Sequence, residues 1–301
     1  MATGPPAHEI AEHFDADEIV LSKATSVAAL IKSSRYTVLF TGAGLSTSAG
    51  IPDFRGPNGV WTLKDQGKRP AASPAMCTLH PTLGHRVIKQ LVDSNLVQHV
   101  CSQNVDGFHR KTGLASPHQL SELHGNTNVE FCIRCKSEYL REFRCRRSGN
   151  HVHDHRTGRM CEKEGCGGAL HDSIINFGED LPQKHFKAAS AAFAAAELVI
   201  VLGSSCRVSP AADLPEQVGL RGKLRNGPKL VIVNLQVTPL DELAAVKVHA
   251  KTDVFLAKMA AELGVVVPEQ VVAVEEEWAG RKEGKRQNGP LRQGSSDAVS
   301  D

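Results

Sequence analysis

No stretch of these 301 residues approaches the roughly 20 consecutive apolar residues that span a bilayer, so no membrane partner is expected. The first twenty residues hold Glu9, Glu12, Asp15, Asp17 and Glu18 and lack an apolar run. A secretory leader needs a basic start and an apolar core, and a mitochondrial presequence is poor in acidic residues, so neither is expected. An excess of one charge is missing too. The 35 Lys and Arg against 33 Asp and Glu leave a formal +2, which argues neither for nor against a nucleic-acid partner. There is no internal repeat and no G-x-G-x-x-G fingerprint, and the latter absence counts against a hydride-transferring dehydrogenase. What is there, 41% hydrophobic and 23% charged residues, is ordinary globular composition, and a soluble intracellular protein is the expectation.

Apolar runs alternate with helical patterns along the chain. Residues 36–41 read as a buried strand closed by Gly42-Ala-Gly44, residues 83–91 as a helix, 97–102 as a strand and 172–177 as a further short strand. The alanine-rich 185–197 should be helical. Leu198-Val-Ile-Val-Leu202 and Leu230-Val-Ile-Val233 are strands, and 253–263 a closing helix. Strands apolar on both faces and separated by helices predict a parallel sheet covered on both sides. Residues 126–170 interrupt this rhythm. They are rich in Cys, His, Arg and Gly and too poor in aliphatics to bury a core of their own. The reading is a polar arm over 1–21, an α/β domain over 22–125 and 171–268, a small inserted module over 126–170, and a flexible basic tail over 269–301.

Gly42-Ala-Gly44-Leu-Ser46-Thr47-Ser48-Ala-Gly50 follows the first strand directly. Glycines permit a tight turn and close approach of a ligand, and Ser and Thr suit a helix start. A strand, glycine turn and helix start gather backbone N–H groups that bind phosphate; the alternative is a plain turn. Ile51-Pro-Asp53-Phe54-Arg55-Gly56 packs an acid, an aromatic and a base into a loop, either for ligand contact or as a rigid turn with a local Asp53–Arg55 pair. Gln103-Asn104-Val-Asp106, Gly203-Ser204-Ser205 and Asn234-Leu235-Gln236 each end a candidate strand, where open α/β sheets bind ligands. Amide side chains donate and accept, so they can grip hydroxyls and a carboxamide.

Five of the eight cysteines fall within 35 residues, four of them paired as Cys132-Ile-Arg-Cys135 and Cys161-Glu-Lys-Glu-Gly-Cys166, with Cys145 between. Intracellular thiols stay reduced, which disfavours a disulfide framework. Paired thiolates on two knuckles make a closed tetrahedral zinc site with no open position, hence a structural one. Cys145, His151, His153 and His155 are competing ligands of lower rank.

Taken in order, these segments resemble the sirtuins, the NAD-dependent protein deacylases. The signature is carried by Gly42-Ala-Gly-Leu-Ser-Thr-Ser-Ala-Gly-Ile-Pro-Asp-Phe-Arg55, then Gln103-Asn104-Val-Asp106-Gly-Phe-His109, Leu123-His124-Gly125, the four cysteines, Phe177-Gly-Glu179, Gly203-Ser204-Ser205 and Val233-Asn234-Leu-Gln236. The match runs over roughly residues 22–266. Gly56-Pro-Asn-Gly-Val-Trp61-Thr62 and Thr157-Gly-Arg159 are similar to the class IV branch, often nuclear enzymes.

The resemblance implies a Rossmann-like parallel sheet with helices on both faces and an inserted zinc module. It implies that NAD is consumed as co-substrate, its pyrophosphate at Gly42, Ala43 and Gly44, with the Asp53-Phe54-Arg55 loop closing over the nicotinamide ribose and Thr47 and Trp61 as further cofactor-binding residues. Gln103 would contact the cofactor, Asn104 orient the ribose and a water, and Asp106 bind the carboxamide. His124 would be the general base. Gly203, Ser204, Ser205, Asn234, Leu235, Gln236 and Thr252 would hold the adenosine half, and Cys132, Cys135, Cys161 and Cys166 one zinc ion. Acylated-lysine proteins, histones among them, are the expected substrates, with nuclear localisation and chromatin contact through the basic tail. An NAD-dependent ADP-ribosyltransferase and a non-catalytic chromatin-binding module remain as alternatives, the second disfavoured by the intact His124 and Asn104.

Overall fold

The computed structural model describes residues 10–70, 79–147, 149 and 151–269. Cys77 and the basic residues Arg281, Lys282, Lys285, Arg286 and Arg292 of the expected tail lie outside them. Helix α1 (Asp17–Ser33) leads into β1 (Thr37–Thr41), followed by α2 (Val60–Asp65), α3 (Leu83–Asp93), β2 (His99–Ser102), α4 (Phe108–Lys111) and β3 (Leu120–Glu122). Four strands come next: β4 (Val129–Cys132), β5 (Glu138–Leu140), β6 (Arg156–Met160) and β7 (Ala169–Asp172). The chain then returns through α5 (Gln183–Ala195), β8 (Leu198–Leu202), α6 (Asp213–Gly222), β9 (Lys229–Val233), β10 (Val246–Val248) and α7 (Thr252–Leu263). Among the described residues no helix is long and apolar enough to cross a membrane.

The principal sheet has six strands in the order β10-β9-β8-β1-β2-β3, and every pair is parallel. Side-chain alternation sends Leu39 to one face, with α1, α3 and α7, and Val38 and Phe40 to the other, with α5 and α6. Both faces are thus covered, which is why β1 and β8 are buried at every position. From β1 the chain builds outward through β2 and β3, then crosses back to place β8 on the other side of β1. That reversal makes the carboxyl ends of β1 and β8 the topological switch point, where such sheets open a crevice.

Strands β4 to β7 form a second, antiparallel sheet in the order β5-β4-β7-β6. Among the described residues its apolar centre is Cys132, Cys166 and Leu170, with Cys135, Tyr139 and Cys161 against it. A buried ion cluster supplements this centre. The Glu130 carboxylate, with no exposed side-chain surface, takes Arg141 at 2.7 Å and Arg159 at 2.6 Å. Burial pushes the Glu130 carboxyl up, but the hydrogen bonds from the two guanidiniums outweigh it and hold the pKa below the usual range.

Two expectations from the sequence need correction. Residues 172–177 are not a strand. Pairing ends at Asp172, and the segment continues as a loop whose Asn176 N–H and side chain are taken by Glu179, so the apolar Ile174 and Ile175 face the cleft instead of a sheet. The expected polar arm also differs, because α1 begins at Asp17. Its buried stripe of Val20, Ala24, Val27, Ala28 and Ile31 packs on the sheet and α7, and the polar residues that masked the pattern lie on the outer face.

Candidate active site

A cleft of about 1150 Å³ opens along the carboxyl ends of the principal strands. Each contributes the residues immediately after it. After β1, Gly42 and Gly44 interlock with Gly203, which follows β8. Gly44 N–H donates to the Gly203 carbonyl at 2.9 Å, and Gly203 N–H to Val233 O at 2.9 Å. A Cβ on Gly42 would lie 2.6 Å from Gly203 O, and one on Gly203, whose φ is +65°, 2.6 Å from the Gly44 carbonyl carbon. No side chain fits between these two turns. The Ser and Thr residues read as a helix start lie in two 3-10 turns, Ala43–Leu45 and Thr47–Ala49, stopped by left-handed Gly50 and the Ile51-Pro52 that follows.

After β2, the Asn104 amide donates to Gly42 O and to Ser46 Oγ, both at 3.1 Å. Ser46 Oγ in turn donates to Asp106 Oδ2 at 2.7 Å, and Asp106 Oδ1 accepts from Phe108 N–H at 2.9 Å. Asp106 is buried and sits behind the cleft wall; its two oxygens face Ser46 and the start of α4. Gln103 accepts from Ser204 Oγ at 2.6 Å, joining the ends of β2 and β8.

Beyond β3 stands His124, half-buried, with Nδ1 3.0 Å from the Gln103 carbonyl oxygen. A carbonyl only accepts, so Nδ1 carries the hydrogen and Nε2 keeps its lone pair. Burial lowers the His124 pKa more than that hydrogen bond raises it, so the ring is neutral near pH 7. The turn that carries it is steric in origin. Gly125 has φ +80°, and a Cβ there would fall 1.8 Å from Ser173 O. Behind it Glu122 is gripped by Arg110 at 2.6 Å and by the Asn126 amide at 2.6 Å, while Arg110 reaches on to Glu138 of β5 at 2.6 Å.

The loop after Gly50 closes one side. Phe54 and Trp61 pack as tilted rings with centroids 4.9 Å apart, Phe177 joins Trp61 at 5.4 Å, and the Arg55 guanidinium lies 4.3 Å over the Trp61 ring. Asp53 does not pair with Arg55. It accepts from Gly56 N–H at 3.1 Å, and burial raises its pKa. Arg55 instead reaches Ser205 Oγ at 3.4 Å. At the far end, Asn234 and Gln236 follow β9, and Thr252 Oγ1 donates to Gly44 O at 3.2 Å.

The structure therefore brings Gly42, Ala43, Gly44, Thr47, Asp53, Phe54, Arg55, Trp61, Gln103, Asn104, His124, Gly203, Ser204, Ser205, Asn234, Leu235, Gln236 and Thr252 to one cleft, with Asp106 just outside its lining. Sequence reasoning missed Glu12, Ser46 and the apolar Ile174 and Ile175. Ser46 lay inside the glycine-rich stretch, but Glu12 carried no local signal.

The four cysteine sulfurs of the module all lie within 4.8 Å of one another. Cys132 and Cys166 are 3.6 Å apart, Cys135 and Cys161 3.5 Å. Sulfurs sharing a tetrahedral zinc at about 2.3 Å stand roughly 3.8 Å apart. Backbone N–H groups of Arg134 and Cys135 point at Cys132 Sγ at 3.3 and 3.4 Å, which suits a thiolate. The residues fit a structural zinc ion; Cys145 Sγ turns to Phe143 O within the loop after β5, and His153 and His155 bond Glu179, so none of them joins the set.

Sheet order and cleft define a doubly wound α/β protein with its ligand crevice at the switch point and a four-cysteine module. The Sir2 family model matches residues 65–210. The NAD-dependent protein deacetylase SRT1 of Arabidopsis thaliana is 40% identical over 263 residues, covering 87% of this chain and 54% of the plant protein. The NAD-dependent protein deacetylase Sirt6 of Drosophila melanogaster is 40% identical over 261 residues, covering 86% of this chain and 80% of its own length. A solved Sir2–p53 peptide–NAD+ complex superposes with a TM-score of 0.58 at 32% identity, covering 79% of this chain and 98% of that one. The chain belongs to the Sir2 family, and the Sirt6 relative agrees with the class IV branch. It spans about half the length of the plant relative.

Proposed function

We propose that the chain is an NAD-dependent protein-lysine deacylase. The observation that carries this reading is the convergence, in one cleft, of a neutral histidine with a free Nε2, an amide held at Asn104, and the interlocked glycine turns of Gly42, Gly44 and Gly203. NAD is a substrate here, supplying the ribose that accepts the acyl group as nicotinamide departs. Gly42, Ala43, Gly44 and Thr47 would take its pyrophosphate, Asp53, Phe54, Arg55 and Trp61 would close over the nicotinamide ribose, and Gln103, Asn104 and Asp106 would orient ribose and carboxamide. Gly203, Ser204, Ser205, Asn234, Leu235, Gln236 and Thr252 would hold the adenosine half. His124 Nε2 would draw the proton from a ribose hydroxyl so that its oxygen captures the acyl carbon. Acyl-lysine, NAD and water thus yield lysine, nicotinamide and acyl-ADP-ribose.

Asp106 lies behind the cleft wall, with Oδ2 on Ser46 Oγ and Oδ1 on Phe108 N–H, so it would meet the carboxamide through its own backbone or after a shift of its side chain. The zinc ion held by Cys132, Cys135, Cys161 and Cys166 would be structural. Its place is taken by no reacting group, because four thiolates leave no open position.

Mass spectrometry of the products from NAD and an acetyl-lysine peptide tests this. Equal amounts of nicotinamide, free-lysine peptide and acetyl-ADP-ribose support deacylation. Nicotinamide release with ADP-ribose attached to protein would support transfer to protein instead.

The finer reading is that substrates include histones and that the enzyme is nuclear, its basic tail touching chromatin. The carriers are Arg281, Lys282, Lys285, Arg286 and Arg292 and the class IV resemblance. Truncation after Glu277 should leave peptide deacylation unchanged and weaken nucleosome binding in a salt-dependent way.

A further inference from the structure

Residues 12–15 precede α1 and cross the carboxyl ends of β9 and β10. His13 N–H donates to Leu235 O at 3.0 Å and Asp15 N–H to His249 O at 2.8 Å. The Asp15 carboxylate accepts from His249 N–H at 2.9 Å and holds Lys23 at 2.6 Å. The His13 ring lies 5.2 Å from that of His249. The segment is therefore fastened to Leu235, the middle residue of Asn234-Leu235-Gln236, one position after Glu12.

Glu12 lines the cleft. Its Oε1 accepts from Gln236 Nε2 over a long 3.4 Å. Its charge reaches across to Asp53, where it adds to the upward push of burial. The cations at this end are already engaged or peripheral. Lys247 is committed to Asp241 at 2.8 Å and Gln236 O at 3.1 Å, and Lys251 is exposed at the rim.

A carboxylate only accepts hydrogen bonds, whereas the neighbouring Asn234 and Gln236 amides also donate. Together they suit a ribose diol, which can give its hydrogens to the carboxylate. A phosphate ester at the same position has no hydrogen to give and brings its own negative charge. Acidic residues in this relation to a ribose hydroxyl separate the two dinucleotides in other doubly wound folds.

We propose that Glu12 closes the adenosine end of the cleft and selects a free ribose 2′-hydroxyl over a 2′-phosphate, so that the protein takes NAD and rejects NADP. This rests on the reading of the cleft as an NAD site. Glu12 is exposed and outside α1, so its replacement leaves the fold intact.

The experiment is equilibrium binding of NAD and of NADP to the full chain, followed by calorimetry, for wild type, Glu12→Gln and Glu12→Arg. Removal of one repelling charge should narrow the NAD-over-NADP preference about tenfold in Glu12→Gln, mainly through tighter NADP, and further in Glu12→Arg. A preference unchanged in both variants, with NAD bound normally by wild type, overturns the proposal alone. Wild type that binds no NAD overturns the cofactor reading as well.

Discussion

His124 Nδ1 lies 3.0 Å from the carbonyl oxygen of Gln103, the first residue after β2. The neighbouring strand end thereby chooses the tautomer of the ring beyond β3, and Nε2 keeps the lone pair that the proposed base needs. Burial lowers the His124 pKa below the ordinary histidine value of about 6.5. The working form is neutral, so the acidic limb of kcat/KM for an acyl-peptide should have its midpoint below the ordinary histidine value, with the rate falling as pH drops through it. A profile whose acidic limb lies above pH 7 would contradict the assignment.

The module's apolar centre is mostly sulfur, so its order should depend on metal. Purified protein should carry one zinc per chain, and Cys135→Ser should lose it. If the ion contributes at least about 3 kcal/mol, Tm falls by roughly 6–12 °C. Metal content near zero in a stable, active sample would refute this.

Arg110 ties the strand before His124 to the module. Glu122 has 4% of its side chain exposed and Arg110 12%, so removing the cation strands a buried carboxylate. Arg110→Gln should cost about 3–5 kcal/mol in urea unfolding, and adding Glu122→Gln should recover much of that. A loss below about 1 kcal/mol in the single variant would show that the pair is replaceable.

Acid should weaken the fold well before carboxylates titrate. His109 is fully buried against Thr41, its Nδ1 has no hydrogen-bond partner among the described residues, and burial pulls its pKa to about 3. Unfolded, it titrates near 6.5. Between those values the unfolded chain binds the extra proton, so this stability is complete above about pH 6.5 and drains away as pH falls toward 3. Between pH 7 and 5 the loss from His109 is about 2 kcal/mol, read by urea unfolding at the two pH values. His85, its ring 4.8 Å away, is shifted down by burial first and His109 second and adds to the loss. The same pH slope in His109→Gln as in wild type would assign the effect elsewhere.

Much of the cleft was legible because strands buried on both faces are uninterrupted apolar runs. Leu198–Leu202 and the Leu230-Val-Ile-Val233 run within β9 announce themselves, and the residues after them follow. Short strands were not legible. Leu120–Glu122 and Val246–Val248 have three residues each and are fixed by pairing with β2 and β9, not by pattern. The role of Glu12 was hidden for a related reason: its neighbours in space, Leu235 and Gln236, are more than 200 positions away. Asp106 shows the opposite limit. Its place in a motif was readable, but the orientation of its carboxylate toward Ser46 and α4 was set by three-dimensional packing.

The most direct test is the turnover of His124→Ala with NAD and an acetyl-lysine peptide, on protein whose circular dichroism and zinc content match wild type. A positioned base contributes about 100- to 10,000-fold. Loss of at least about 100-fold in acetyl-ADP-ribose formation is the predicted result. Turnover within a few-fold of wild type in a folded variant would contradict it.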